Sequence, residues 1–96
     1  MTSFEWDDEK RATNREKHGV DFVDVLGVFE DPWRVVRSDD RRPYGEDRKQ
    51  CIGALAHLVI FVVYAQRADV VRIISARKAS RHERETYHAY RHRSER

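Results

Sequence analysis

A chain of 96 residues has room for one domain with a modest core, and none for a second domain or a large cofactor cleft. Hydrophobic residues make up 40% and charged residues 38%, which excludes a disordered or membrane-embedded chain; the longest apolar stretch, residues 54–65, is broken by His57 and falls far short of the roughly 20 residues a span needs. The net charge of +2 is uneven: residues 72–96 carry eight cations against three anions, or +5, leaving −3 for residues 1–71, so the basic C-terminal third is either a phosphate-facing surface or a solvated charged helix.

In chain order, residues 4–6 (Phe4, Glu5, Trp6) are a short edge strand or an anchored N-terminus. Asp7 or Asp8 caps a helix to Lys17, which Gly19 ends. That helix is so polar, with Ala12 nearly its only apolar interior residue, that docking must stabilise it. Asp21 caps a second helix, whose Phe22, Val25, Leu26 and Phe29 follow the spacing of one buried face up to Asp31-Pro32. A strand over residues 33–37 leads to a charged loop over 38–47, then to a hairpin of strands 49–55 and 58–64, the latter β-branched and continuous as in a central strand. A further strand covers 70–75. Ser80, with Glu83 three residues on, forms a capping box for a last helix that frays at about residue 91. Short connections between successive strands predict one α+β domain over 1–96: an antiparallel four-stranded sheet packed with two N-terminal helices and one C-terminal helix. The single cysteine, Cys51, excludes an intrachain disulfide, and no signal peptide follows Met1, so a cytoplasmic location is expected.

The run Arg72-Ile73-Ile74-Ser75-Ala76-Arg77-Lys78-Ala79-Ser80, followed by Glu83 and Tyr87, resembles the signature of the BrnT family. So do Phe4-Glu5-Trp6-Asp7, Asn14, Lys17-His18-Gly19-Val20 and Phe22 before it, and Phe29, Asp31-Pro32, Asp40-Arg41, Tyr44-Gly45-Glu46 and Arg48 in the middle, all in the same order and spacing. The resemblance implies a RelE-like fold and a toxin that cleaves RNA and halts translation. It also implies a cognate ribbon-helix-helix antitoxin (BrnA-like), with operator DNA met only through the toxin–antitoxin complex. The chain departs from relatives at two hairpin tips, where the turns 54–57 and 67–69 lack a common glycine and the second has Ala68 in its place.

Metal-independent RNA cleavage needs a base for the 2′-hydroxyl proton, cations for the charge building on phosphorus, and an acid for the leaving 5′-oxygen. Arg77 and Lys78, just ahead of the Ser80 cap, could hold a phosphate at a helix N-terminus, with Arg81 and Arg84 on the next turn and the Tyr87 hydroxyl reaching the same pocket. Alternatively Arg77 pairs with Glu83 or Glu46, and Tyr87 packs on the sheet. His18, at the end of the first helix, is of the side-chain type suited to acid–base work, or is there to meet the helix dipole, and Lys17 beside it contacts phosphate or is simply exposed. Glu46 could be a base while Arg48, two residues on, clamps phosphate, or the two form a surface pair. Arg41 and Tyr44 lie in the loop before them, where Tyr44 could stack on a base, and Arg72 could border the same cleft. The expected catalytic set is His18, Glu46, Arg48, Arg77 and Tyr87, with Lys17, Arg41, Tyr44, Arg72, Lys78, Arg81 and Arg84 binding RNA. Arg77→Ala is expected to abolish toxicity and leave the melting temperature nearly unchanged. His88 and His92 share a helix face but lack a third ligand, so no metal and no cofactor is expected. The rival expectation is a non-catalytic RNA- or antitoxin-binding module acting in transcriptional autoregulation.

Overall fold

The computed structural model describes residues 2–94. Its elements are β1 (Ser3–Trp6), α1 (Asp8–His18), a 3-10 helix (Asp24–Glu30), β2 (Val35–Ser38), β3 (Arg48–Leu55), β4 (Leu58–Arg67), β5 (Val70–Lys78) and α2 (Arg81–Ser94). The α+β class is as expected, but the sheet has five strands rather than four and is mixed, in the order β1-β5-β4-β3-β2. β2 to β5 are antiparallel neighbours, whereas β1 joins β5 in parallel, Ser3 opposite Val70 and Trp6 opposite Ile73. The reason is the chain's exit from β1. It turns directly into α1, which lies along the rest of the β5 edge, so β1 must run in the direction that delivers that helix.

Asn14 makes the continuation possible. Its Nδ2 donates to the Ala76 carbonyl at 2.7 Å and to the Val20 carbonyl at 2.9 Å, while its Oδ1 accepts from the Ala76 amide at 3.1 Å. A primary amide has the donor and acceptor of a peptide unit, so one side chain satisfies the β5 edge that β1 leaves open. Docking does hold α1, but through buried Asn14 and not through Ala12, which is exposed. Asp7 caps the helix by accepting from the amides of Glu9 and Lys10, and Gly19 ends it with φ 69°.

β4 sits between β3 and β5 with both faces covered. Ile60, Val62 and Tyr64 meet Val25 and Val28 of the 3-10 helix, together with Phe22 and Val20 just before it. On the other face Phe61 and Val63 pack with Ile52 under Tyr87 of α2. The second α-helix expected here is the 3-10 helix instead. The Asp21 carboxylate does accept from the Val23 amide, but Arg11 also claims it (2.7 and 3.0 Å), and the position before the helix, Val23, offers no side-chain cap. The segment presses so closely on β3 that a Cβ on Gly53 would lie 2.7 Å from Val28 Cγ1. The capping box at Ser80 and Glu83 forms in both directions, at 3.2 and 2.8 Å, and α2 runs past the expected end at residue 91 to Ser94. No helix among the described residues is long and apolar enough to cross a membrane.

One irregularity shapes the α2 face of the sheet. Val63 pairs with Ser75 but the next residue, Tyr64, pairs with Ile73, leaving Ile74 as an extra residue in β5. Such a bulge re-aims side chains, and here Ile74 and Ser75 both open onto the same hollows.

Candidate functional site

α2 covers only part of its face of the sheet. The uncovered part is crossed by the loop between β2 and β3, residues 39–47, which is folded back on the sheet edge. Arg41, Arg42 and Tyr44 of this loop, Arg48 of β3 and Val63 of β4 enclose a hollow of about 360 Å³ with Ile74 and Ser75. A second hollow, about 410 Å³, lies between α1 and β5 and takes in Asp7, Glu9, Lys10, Thr13, Lys17 and His18. Ile74 and Ser75 line both, so the two hollows are neighbours that meet at the bulge. One hollow is walled by guanidinium groups, the other by a histidine and two lysines together with Asp7 and Glu9.

Two of the arginines are paired with acids. Arg48 Nε donates to Glu46 Oε2 at 3.0 Å and its guanidinium lies 3.9 Å from the centre of the Tyr44 ring, while Arg42 approaches that ring at 5.8 Å. The Tyr44 ring is therefore engaged by two cations, which leaves little of it for a stacked base. Arg67 reaches the other Glu46 oxygen at 3.2 Å. The hydrogen bond from Arg48, helped by Arg67, holds the Glu46 carboxyl below the usual carboxylate range, so it stays ionised. Arg41 donates to Asp39 from Nε at 2.6 Å and Nη2 at 2.7 Å. Across the sheet Arg48, Ala65 and Arg72 fall in one row, with Arg72 two strand spacings (about 10 Å) from Arg48 and 3.6 Å from Glu5.

The structure thus brings Arg41, Tyr44 and Arg48 to one hollow and Lys17 and His18 to its neighbour, with Glu46 paired to Arg48. The remaining expected residues lie elsewhere. Arg77 grips Glu83 with both arms of its fork, at 2.8 and 2.9 Å, and covers the Phe61 ring at 4.2 Å. Burial opposes the Glu83 charge, yet Arg77 and the Ser80 amide outweigh it and keep that carboxyl low. Tyr87 is 1% exposed and donates to Asp31 Oδ2 at 2.6 Å; burial, then the bond to Asp31, pushes its hydroxyl up to about 12. Arg81 pairs with Glu85, Arg84 donates to the Ala79 carbonyl, and Lys78 is exposed. The basic C-terminal third therefore spends several of its cations on its own helix and on Glu5, and the cations of the two hollows come from the net-acidic part of the chain. Sequence reasoning missed Lys10, Arg42 and Ser75. Ser75 stands in the recognised run, but only the bulge assigns it a place. Among the described residues no three His, Cys, Asp or Glu side chains gather as a metal site would require. A larger hollow of about 660 Å³ lies on the opposite face, floored by Phe4, Leu26, Phe29, Tyr64 and Val71, with Arg34, Lys49 and Glu30 also lining it and no histidine.

Residues 6–83 match the family model of the ribonuclease toxin, BrnT, of type II toxin–antitoxin systems. The chain belongs to the BrnT family. The match runs from the end of β1 to Glu83 of the capping box, so every residue lining the two hollows falls inside it and Tyr87 falls outside. A BrnT protein is a ribonuclease toxin whose system pairs it with an antitoxin. A search of the curated proteins gave no match.

Proposed function

We propose that this BrnT-family chain is a metal-independent endoribonuclease that cleaves RNA at the cleft over Ile74 and Ser75. The observation that supports the reading is that Ile74 and Ser75 line both hollows, so a guanidinium cluster and a histidine flank the same bulge, a combination suited to a phosphate undergoing in-line attack. Arg48 and Arg41 hold the scissile phosphate, and Lys17 and Arg42 its neighbours. The 2′-oxygen attacks the adjacent phosphorus as it loses its proton, the bond from phosphorus to the 5′-oxygen breaks, and that oxygen takes up a proton. The products are a 2′,3′-cyclic phosphate and a 5′-hydroxyl. His18 serves the proton transfers, Glu46 holds Arg48 in place through their hydrogen bond, and the Ser75 hydroxyl donates to a phosphate oxygen. Arg77 and Tyr87 act one step removed, by fixing α2 to the sheet. In the cytoplasm such cleavage would halt translation, and a ribbon-helix-helix antitoxin would neutralise the toxin and carry the pair to operator DNA.

The test is cleavage of a defined RNA by the purified chain in EDTA, with and without ribosomes, and mapping of the ends. Cyclic phosphate and 5′-hydroxyl ends, lost in Arg48→Ala with an unchanged melting temperature, are the expected result. No cleavage under either condition would overturn the reading in favour of a non-catalytic RNA- or antitoxin-binding module.

A further inference from the structure

Asp39 sits where β2 ends and the cleft loop begins, and its side chain is fully covered (0% exposed) although its neighbours in sequence are exposed. Taking a carboxylate out of water is costly unless every lone pair is met. Here Arg41 Nε and Nη2 meet it at 2.6 and 2.7 Å, Gln50 Nε2 at 3.2 Å and the Arg41 amide at 3.4 Å. Gln50, itself buried, is fixed in turn by Arg37 Nε at 2.8 Å. The Asp39 amide donates to the Arg48 carbonyl at 2.8 Å, which ties this network to the strand carrying another arginine of the hollow.

Stability alone does not account for such an arrangement, because well-packed apolar residues in place of a whole buried ion pair are often equally stable. What only a carboxylate supplies is a fixed direction for a guanidinium. Arg41 stands in a loop of nine residues without regular structure, and its side chain remains 57% exposed. Two of its five N–H donors are turned onto Asp39 and the guanidinium also interacts with Tyr44, which leaves part of the fork for the hollow that Arg41 lines. A long, rotamer-rich side chain is thereby ordered before any ligand arrives.

We infer that Asp39 is a positioning residue of the cleft: a buried anion that pre-orients Arg41 for an RNA phosphate while touching no substrate itself. The inference rests on the cleft being the RNA site. It also makes a prediction opposite in sign to simple electrostatics. Removing a negative charge makes the hollow more cationic, so charge alone predicts tighter RNA binding in Asp39→Asn; loss of positioning predicts weaker binding.

The probe is a short single-stranded RNA with 2′-O-methyl groups, which binds without being cleaved, titrated with the full chain over a range of salt. Arg41→Ala should bind about tenfold more weakly and lower the slope of log K against log salt by about 0.7, the value of one phosphate contact on a single strand. Asp39→Asn should do the same, and the double variant should fall no further than Arg41→Ala. Equal or tighter binding by Asp39→Asn, or additive losses in the double variant, would overturn the inference while leaving the cleft reading intact. An Arg41→Ala slope equal to wild type would overturn the cleft reading itself. Should Asp39→Asn not fold, the wild-type protein decides: the Arg41 Nε–H resonance should be sharp and slow to exchange, and a signal averaged like that of a free arginine would sink the idea.

Discussion

Arg77 shows how one side chain can satisfy two readings at the level of sequence and only one in space. Its position two residues after Ser75 puts it near the cleft, but Glu83 takes both arms of the fork. The clue was available: the same Glu83 completes the capping box, so its other oxygen had to face back towards the strand. Arg77→Ala would leave a buried carboxylate short of its cation, at a cost of about 1–3 kcal/mol. In a domain of this size that lowers the melting temperature by roughly 5–15 °C, instead of leaving it unchanged. A thermal melt of the variant decides it, and a shift below about 3 °C would mean that Glu83 finds other partners. Asn14 was legible as a motif residue but not as a stand-in for a strand, because its partner Ala76 lies 62 positions away. Asp39 carried no signal at all. An aspartate beside a charged loop reads as solvated, and burial of a carboxylate is a property of the folded surroundings.

At the scale of elements, what was legible was local. The β3–β4 hairpin, the β5 strand and the α2 cap were readable because alternation, turn spacing and capping residues all lie within about ten positions of one another. The parallel pairing of β1 and the bulge in β5 were not, since both depend on which strand lies alongside. The bulge matters most for the site, because it presents Ile74 and Ser75 to both hollows. The hairpin tips carry a strain that the sequence did hint at. Ala56 and Ala68 adopt φ of 54° and 53°, a left-handed conformation that costs a residue with a Cβ about 1–2 kcal/mol, part of which glycine forfeits through its greater freedom when unfolded. Ala56→Gly and Ala68→Gly should each stabilise by about 0.5 kcal/mol, and additively, because the two turns lie at opposite ends of β4. Denaturant midpoints of the single and double variants would show it; a loss of stability in both singles would mean the turns are relaxed as they stand.

For the molecule as a whole, two acids, each paired with an arginine, set the behaviour at low pH. Arg11 holds the Asp21 carboxyl at about 2, and Arg41 holds that of Asp39 at about 2, against an ordinary value of 3.8. Because the folded values lie below the unfolded one, both pairs stabilise the fold above about pH 4, and the contribution disappears as the pH falls through 2. The melting temperature should therefore drop steeply between pH 4 and pH 2, and less steeply in Asp39→Asn; parallel curves for the two proteins would refute the role of Asp39 in that drop. The overall charge pattern was a poor guide to the site, since net charge does not distinguish a cation committed to an internal partner from one turned to the solvent.

The pairing of β1 with β5 has a consequence for how the protein is made. Synthesis proceeds from the N-terminus, so α1 with its histidine and lysines leaves the ribosome long before Ala76, the residue that Asn14 needs, and before Ile74 and Ser75, the floor of the cleft. A nascent chain that stops at residue 70 holds most of the cations and no place to use them. The floor shared by the two hollows cannot form until Ile74 and Ser75 have been added and have left the ribosome, however early the helix that faces them is made.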